Sequence, residues 1–217
     1  MIITIDDSIK KVLPNFTCLA LSMDIVIKDS SEIDELIKKT EERISEEYTL
    51  EEVLSIPLIK EARDGYKKLG KDPSRYRLAC ESLLRRIVKG NKLYRINNVV
   101  DCGNILSIDL FRSVCVCDLD EIKGDILIRR GLNSDIYEGI GRGIIDVSNI
   151  PLYCDDISPF GSPTSDTIRT SIKDSTKRIL VMVICFESFS LDLMEITTKI
   201  YEKYCFGKNI KRIEVRR

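Results

Sequence analysis

Two stretches of sequence decide the fold: residues 95–107 read RINNVVDCGNILS, and residues 117–130 read CDLDEIKGDILIRR. In the first stretch Asn98 is a good N-cap residue and Asp101 would lie in the first turn, so we predict a helix over residues 98–110. From residue 114 the apolar residues recur with a period of two, which predicts short strands at 114–117 and 125–129. The middle of the chain should therefore contain a helix followed by two short strands.

The sequence on either side of these stretches predicts further strands and helices. Helices are expected at 31–47, at 58–69, at 73–89 with Pro73 at its start, and from about 190 to 205. Residues 178–186 (RILVMVICF) form a nearly continuous apolar run, which is typical of a central strand. Strands with helices at both ends of a mainly β middle predict one α+β unit spanning residues 1–217.

The chain has 217 residues and contains no histidine. Ser-His-Asp and Cys-His nucleophiles, imidazole general bases and zinc sites with histidine ligands are therefore excluded. The eight cysteines form no CxxC pair, so we expect no metal and no cofactor. No apolar run approaches a membrane span and no signal peptide is visible, so we expect reduced thiols in a cytoplasmic protein with no membrane partner.

The net charge of −1 conceals a segregated distribution of charge. Residues 60–95 carry 12 basic and 4 acidic side chains in an otherwise acidic protein. Such a block predicts contact with a polyanion such as nucleic acid; the alternative is a solvated helix face balanced by the acidic N-terminal helix. The cations predicted to bind RNA are Lys67, Lys68, Lys71, Arg75, Arg85, Arg86, Lys89 and Lys92.

Three segments taken together resemble one known family. DPSRYRLACESLLRRIVKG (72–90), RINNVVDCGNILS (95–107) and CDLDEIKGDILIRR (117–130) are similar, in order and spacing, to the B3/B4 domain of the bacterial phenylalanyl-tRNA synthetase beta subunit. The resemblance covers roughly residues 60–187. Residues 1–59 would be an N-terminal strand–helix extension and residues 188–217 a C-terminal helix–strand segment. The whole chain looks like the standalone B3/B4 proteins rather than a full synthetase.

The resemblance implies a three-layer sandwich of mixed and antiparallel sheets with flanking helices. It also implies an editing site that removes a wrongly attached amino acid from the 3′ end of a tRNA. The asparagine of the family's D-x-x-N-Y motif corresponds to Asn104, and the family's histidine eleven residues later corresponds to Cys115. The glutamate loop of the family falls at 165–169, where Asp166 is the nearest carboxylate.

Deacylation of an aminoacyl-tRNA is the attack of water on an activated ester, so a site must mainly position water and stabilise the oxyanion. We predict Asn104 and Asp101 as catalytic residues, on one helical stripe with Asn98 that faces a common cleft. The residues predicted to bind substrate are Asn98, Cys115, Asp166, Arg169 and Ser171.

The leading hypothesis is a free-standing trans-editing hydrolase that binds the acceptor end of tRNA and acts on mischarged aminoacyl-tRNA. Two alternatives use the same fold. One is a non-catalytic RNA-binding module, and the other is a binder of a free amino acid or another small molecule.

Overall fold

The computed structural model describes residues 1–28 and 30–217. The strands are β1 Ile2–Ile5, β2 Thr17–Asp24, β3 Val114–Asp118, β4 Ile126–Arg130, β5 Glu138–Gly139, β6 Gly143–Ile144, β7 Pro151–Cys154, β8 Pro159–Gly161, β9 Arg178–Cys185, β10 Lys208–Arg212 and β11 Glu214–Arg216. The helices are α1 Asp7–Lys10, α2 Ser31–Glu47, α3 Leu50–Ser55, α4 Pro57–Leu69, α5 Ala79–Val88, α6 Asn98–Asp109 and α7 Leu193–Cys205.

The strands form two large sheets and one small hairpin. Sheet A has the order β11-β1-β4-β7-β8, in which β1 runs parallel to both of its neighbours and the other pairs are antiparallel. Sheet B has the order β10-β2-β9-β3 and is antiparallel throughout. The predicted central strand is confirmed, because β9 pairs with a strand on each side and seven of its eight residues are buried.

The two sheets and the helices form three layers. Sheet B packs against sheet A through the β3 face that carries Cys115, and β2 also contacts β11. Helices α6 and α7 cover the other face of sheet B, where a Cβ atom on Gly103 would lie 2.5 Å from Val116 Cγ2. The α+β sandwich with mixed and antiparallel sheets is therefore confirmed. Burial of both faces explains why β9 is apolar along its length rather than alternating.

Two helix starts differ from the sequence prediction. Residues after Pro73 form turns, and α5 begins only at Ala79, because Ser74 N donates to Asp72 Oδ1 in a local turn at 2.8 Å. The N-cap of α6 is Asn97, whose side chain accepts hydrogen bonds from Val99 N and Val100 N. Asn98 is consequently the first helical residue, and its side chain is free for a different role.

The glycine-rich segment 139–143 lies in the β5–β6 hairpin, with Gly141 and Gly143 at positive φ. Within residues 1–28 and 30–217, no helix is long and apolar enough to cross a membrane.

Candidate functional site

One group of polar side chains, three of them buried and Asp166 half-buried, lies between the two sheets. It comprises Cys115 on β3, Tyr153 on β7, Asp166 in the loop after β8, and Tyr137, and we call it the Cys115–Asp166 cluster. A Cβ atom built on Gly161 would lie 2.9 Å from Asp166 Oδ1, 3.4 Å from Cys115 Sγ and 2.7 Å from Tyr153 Cδ2. The cluster therefore closes around the position where Gly161 has no side chain.

Two polar atoms of this cluster lack hydrogen-bond partners. Asp166 Oδ1 and Tyr153 OH are buried, and neither forms a hydrogen bond within the described part of the chain. Tyr137 OH, by contrast, donates to the carbonyl oxygen of Ser165. A buried polar atom without a partner costs about 1–3 kcal/mol, so each of these two atoms requires an explanation, and a bound ligand is one.

The loop that carries Asp166 is held in place by hydrogen bonds to its backbone atoms. Thr167 N donates to Phe160 O, and Ser162 N donates to Ser165 O, each at 3.0 Å. The Ser162 hydroxyl also donates to Ser165 O at 2.9 Å. These bonds fix the turn at both ends and so hold the Asp166 carboxyl beside β3.

Burial changes the protonation of the cluster. It raises the pKa of Asp166 to about 7, and the neighbouring Cys115 thiol and Ser162 amide oppose this rise only in part. The adjacent Cys117 thiol, burial and the Asp166 carboxyl raise the pKa of Cys115 well above its usual range. At neutral pH Asp166 is therefore divided between acid and carboxylate, while Cys115 stays a thiol and is a poor nucleophile.

Asn98 lies away from this cluster and binds backbone atoms. Its amide nitrogen donates to Val26 O and Tyr204 O, both at 2.9 Å, and its amide oxygen accepts from Lys28 N at 3.1 Å. Its side chain is almost fully buried. Asn98 thereby ties the start of α6 to the segment after β2 and to the end of α7, and it offers substrate no free hydrogen-bonding group in this arrangement.

Asp101 is also engaged close to its own helix. Its carboxylate accepts from Arg95 Nε at 2.8 Å and from Ile96 N at 3.2 Å. The predicted common cleft for Asn98, Asp101 and Asn104 does not form, because the first two side chains bind the segments around residues 26–28, 95–96 and 204. We therefore assign neither Asn98 nor Asp101 to the Cys115–Asp166 cluster.

Asn104 differs from both, because it is half-buried and its side chain makes no hydrogen bond to any described residue. Gly103, the residue before it, packs against Val116 on the helix-covered face of β3, whereas Cys115 lies on the opposite face. Helix α6, which carries Asn104, therefore covers the face of sheet B opposite to the Cys115–Asp166 cluster.

Arg169 and Ser171 serve the loop itself. The Arg169 guanidinium donates to both carboxylate oxygens of Asp155, at 3.1 and 2.8 Å, and to the backbone carbonyls of Glu121 and Ser158. The Asp155 side chain is fully buried, so this bidentate pair anchors the loop. Ser171 Oγ donates to Ile168 O at 2.8 Å.

Most of the predicted RNA-binding cations have acidic or backbone partners. Lys67 pairs with Asp64, Lys68 with Glu187, Arg85 with Glu81 and Lys92 with Glu41. These pairs use acidic residues from several elements, including α2, so the charge of the 60–95 block is partly balanced in space.

The four other members of the predicted set have different environments. Lys71 is buried, contrary to the prediction. Its side chain is 4% exposed, because Nζ binds Asp146 and Ser148, and we remove it from the predicted RNA-binding surface. Arg86 lies over the Tyr94 ring at 3.7 Å from its centroid. Arg75 and Lys89 are both exposed, and neither forms an ion pair with the residues that the structure describes.

Sequence reasoning missed the two tyrosines and the glycine of the cluster. Tyr153 lies in a strand that is buried on both faces, where the alternation of polar and apolar residues that marks a site is absent. Tyr137 precedes a short hairpin and reaches the cluster only through the tertiary fold. Among the described residues, no group of three or more acidic or cysteine side chains is placed to hold a metal ion.

The protein is a domain of two stacked sheets covered by helices, and it carries a polar cluster between the sheets, near β3 and β8. The model of the B3/4 domain family matches residues 61–207, which is more than half of the chain, and the chain belongs to this family. A search of curated proteins gave no match.

Among solved structures, the chain is similar to an N-terminal fragment of the phenylalanyl-tRNA synthetase beta-subunit from Pyrococcus horikoshii. The TM-score is 0.52 at 11% sequence identity, and the match covers 99% of this chain and 51% of that one. The chain thus spans about half the length of that fragment. At this identity the likeness shows a shared fold.

Proposed function

We propose that the protein binds tRNA and hydrolyses the ester of a mischarged aminoacyl-tRNA at the Cys115–Asp166 cluster. The observation that carries this proposal is the pair of buried, unpartnered atoms, Asp166 Oδ1 and Tyr153 OH, beside a position without a side chain. The cluster lies on the loop that follows β8, which the B3/B4 resemblance aligns with the family's editing loop. Membership of the B3/4 family and the synthetase-like fold support tRNA as the substrate.

The chemistry assigns different tasks to the two atoms. The ionised form of Asp166 accepts hydrogen bonds from the α-ammonium group of the attached amino acid, and Tyr153 OH donates to an oxygen of the substrate. Water attacks the carbonyl carbon, the bond to the ribose oxygen breaks, and the proton lost by the water passes to the leaving ribose hydroxyl. Such a site needs to orient groups around an activated ester rather than to supply a strong nucleophile.

The B3/B4 resemblance is the reason for which we also propose Asn104 as a site residue, although α6 covers the face of sheet B opposite to Cys115. The Asn104 amide has no partner among the described residues and lies on α6, next to the outer strand of sheet B. An amide there can orient the attacking water or stabilise the oxyanion without any change of charge. Exposed cations of the 60–95 block are proposed to contact the RNA backbone.

The test is a panel of tRNAs, each charged with a wrong amino acid, incubated with the protein at catalytic concentrations. We expect turnover with at least one of them, and a loss of at least tenfold in Asp166→Asn and in Tyr153→Phe. Tyr201→Phe is the matched control, because Tyr201 is an equally buried tyrosine on α7, with its hydroxyl bonded to Val99 O. Equal losses of activity in Tyr153→Phe and Tyr201→Phe would show that the loss arises from a disturbed fold and not from a missing contact with substrate.

One observation favours an alternative, a binder of free amino acids. The cluster holds a protonated thiol and two tyrosines but no ionised base besides Asp166. Saturable binding of a free amino acid, lost in Asp166→Asn, together with no turnover on any charged tRNA, would support that alternative over hydrolysis.

A further inference from the structure

We propose that a single-stranded segment of the RNA lies along strand β10, with bases stacked on Phe206 and Phe189 and phosphates bound by Lys208, Lys211 and Arg212. We call these five residues the C-terminal edge. The proposal deepens the proposed function and rests on it, because it names the surface that receives most of the RNA. The C-terminal edge is a different surface from the 60–95 block, which was predicted to bind RNA from the sequence alone.

The cations of the C-terminal edge are available for binding. Strand β10 is an outer strand of sheet B, and Lys208, Lys211 and Arg212 are all exposed on it. Within the described chain none of the three forms an ion pair, whereas Lys67, Lys68 and Lys92 of the 60–95 block each do. Cations without acidic partners give the stronger positive potential, which is what a phosphate backbone requires.

A groove with an exposed aromatic ring lies at each end of β10. The first has a volume of about 550 Å³ and is lined by Phe189, Arg212 and Arg217. The second, of about 400 Å³, is lined by Phe206, Lys28 and Lys208. The two rings are 39% and 48% exposed. Aromatic rings alternating with cations along a groove are typical of surfaces that bind single-stranded nucleic acid, since every base can stack on a ring.

The backbone at Phe206 supports a role for its ring. Phe206 ends α7 in the left-handed conformation at φ 55°, a position that favours glycine or asparagine. An aromatic residue here is strained, yet the residue is 48% exposed to solvent. Strain of this kind is retained where the residue has a function, and here it places a ring at the mouth of the second groove.

Two acidic residues lie in these grooves, and each is already engaged. Asp24 accepts a hydrogen bond from Asn209 Nδ2 at 2.6 Å, and Glu214 pairs with Arg216 at 2.8 Å. The lysines also have a purely structural explanation, because charged side chains on an outer strand prevent edge-to-edge association of sheets. That explanation does not account for the exposed rings.

The C-terminal edge and the Cys115–Asp166 cluster lie on opposite borders of the sandwich. In sheet B, three strand spacings separate β10 from β3, which is about 14 Å at the usual spacing. The RNA bound at the C-terminal edge is therefore a segment several nucleotides from the charged end. Removing this contact should raise the KM for aminoacyl-tRNA and leave kcat unchanged.

The first test compares two triple variants by fluorescence anisotropy with labelled tRNA. We expect Lys208→Ala/Lys211→Ala/Arg212→Ala to bind at least tenfold more weakly, with a salt dependence smaller by about 2 in the log–log slope. Lys67→Ala/Lys68→Ala/Lys92→Ala removes the same charge from ion-paired positions and should lose less than the first variant. The opposite order of effects would overturn the proposal while leaving tRNA binding intact.

The second test uses Phe206→Asn, which removes the ring and suits the left-handed backbone. We expect a higher Tm together with weaker tRNA binding, a combination that a purely structural role would not produce. Unchanged affinity in this variant would overturn the stacking role. If the wild-type protein binds no tRNA at all, both this proposal and the proposed function fail. Loss of hydrolysis with binding retained contradicts only the enzymatic part.

Discussion

At the scale of single residues, the most informative group is the Asp166 carboxyl. Its pKa in the folded protein is about 7, against an ordinary value of 3.8, because burial disfavours the charged form. Between these two values the folded state holds a proton that the unfolded state has released. The stabilising effect of the protonated form is therefore complete below about pH 4 and is lost as the pH rises through 7.

Replacing Asp166 by asparagine should remove this dependence. We expect Asp166→Asn to match the wild type in free energy of unfolding near pH 4, and to exceed it by about 1–2 kcal/mol near pH 8, a discounted figure for a half-buried residue. Urea unfolding at the two pH values measures the difference. An unchanged pH dependence in the variant would show that Asp166 is as ionised in the fold as in solution.

Cys115 allows a second prediction at this scale. Because its pKa lies well above the usual range, we expect Cys115→Ser to retain deacylation within tenfold and iodoacetamide to leave the folded protein active. Mass spectrometry after incubation with substrate provides the direct measurement. A covalent acyl adduct on Cys115 would contradict this prediction and make the residue a nucleophile.

At the scale of elements, helix α6 carries two asparagines with opposite environments. Asn98 makes three hydrogen bonds to backbone atoms of other segments, and Asn104 makes none to any described residue. We expect Asn98→Ala to lower the free energy of unfolding by about 1–3 kcal/mol, because it leaves three partly buried backbone groups unpaired. Chemical denaturation measures this loss.

Asn104→Ala on the same helix is the matched variant. Its stability should change by less than about 0.5 kcal/mol, as for a surface substitution. Deacylation should fall at least tenfold, which is about 1.4 kcal/mol of transition-state stabilisation, with tRNA affinity retained. Comparable losses of stability in both variants, with full activity in Asn104→Ala, would place Asn104 outside the site.

At the scale of the whole molecule, the distribution of charge sets the expected behaviour toward RNA. We expect tRNA to bind in the micromolar range or more tightly at low salt, and to dissociate steeply as salt rises, because counterions are released from phosphates. Titrations at several salt concentrations give the slope. Binding that does not depend on salt would mean that neither the 60–95 block nor the C-terminal edge contacts phosphate.

The sequence by itself determined the family, the central strand and the exclusion of histidine chemistry. These follow from local information: the motifs at 95–107 and 117–130, the apolar run at 178–186, and composition. The sequence could not determine which polar side chains are hydrogen-bonded or ion-paired in the folded protein. Asn98, Asp101 and Arg169 look as suitable for substrate as Asp166 does, and only folding pairs the first three with residues distant from the cluster or with the loop itself.

The tertiary structure decided the remainder for a physical reason. Whether a buried polar atom has a hydrogen-bond partner, and whether a cation has an acidic partner, depends on residues far apart in sequence, such as Asn98 with Tyr204 or Lys68 with Glu187. The 60–95 block is strongly basic in the sequence but largely paired in space, whereas the shorter C-terminal strand keeps its charge exposed. The positions of charged and polar residues are known from the sequence, but packing in the folded protein decides whether those groups are free to bind a ligand.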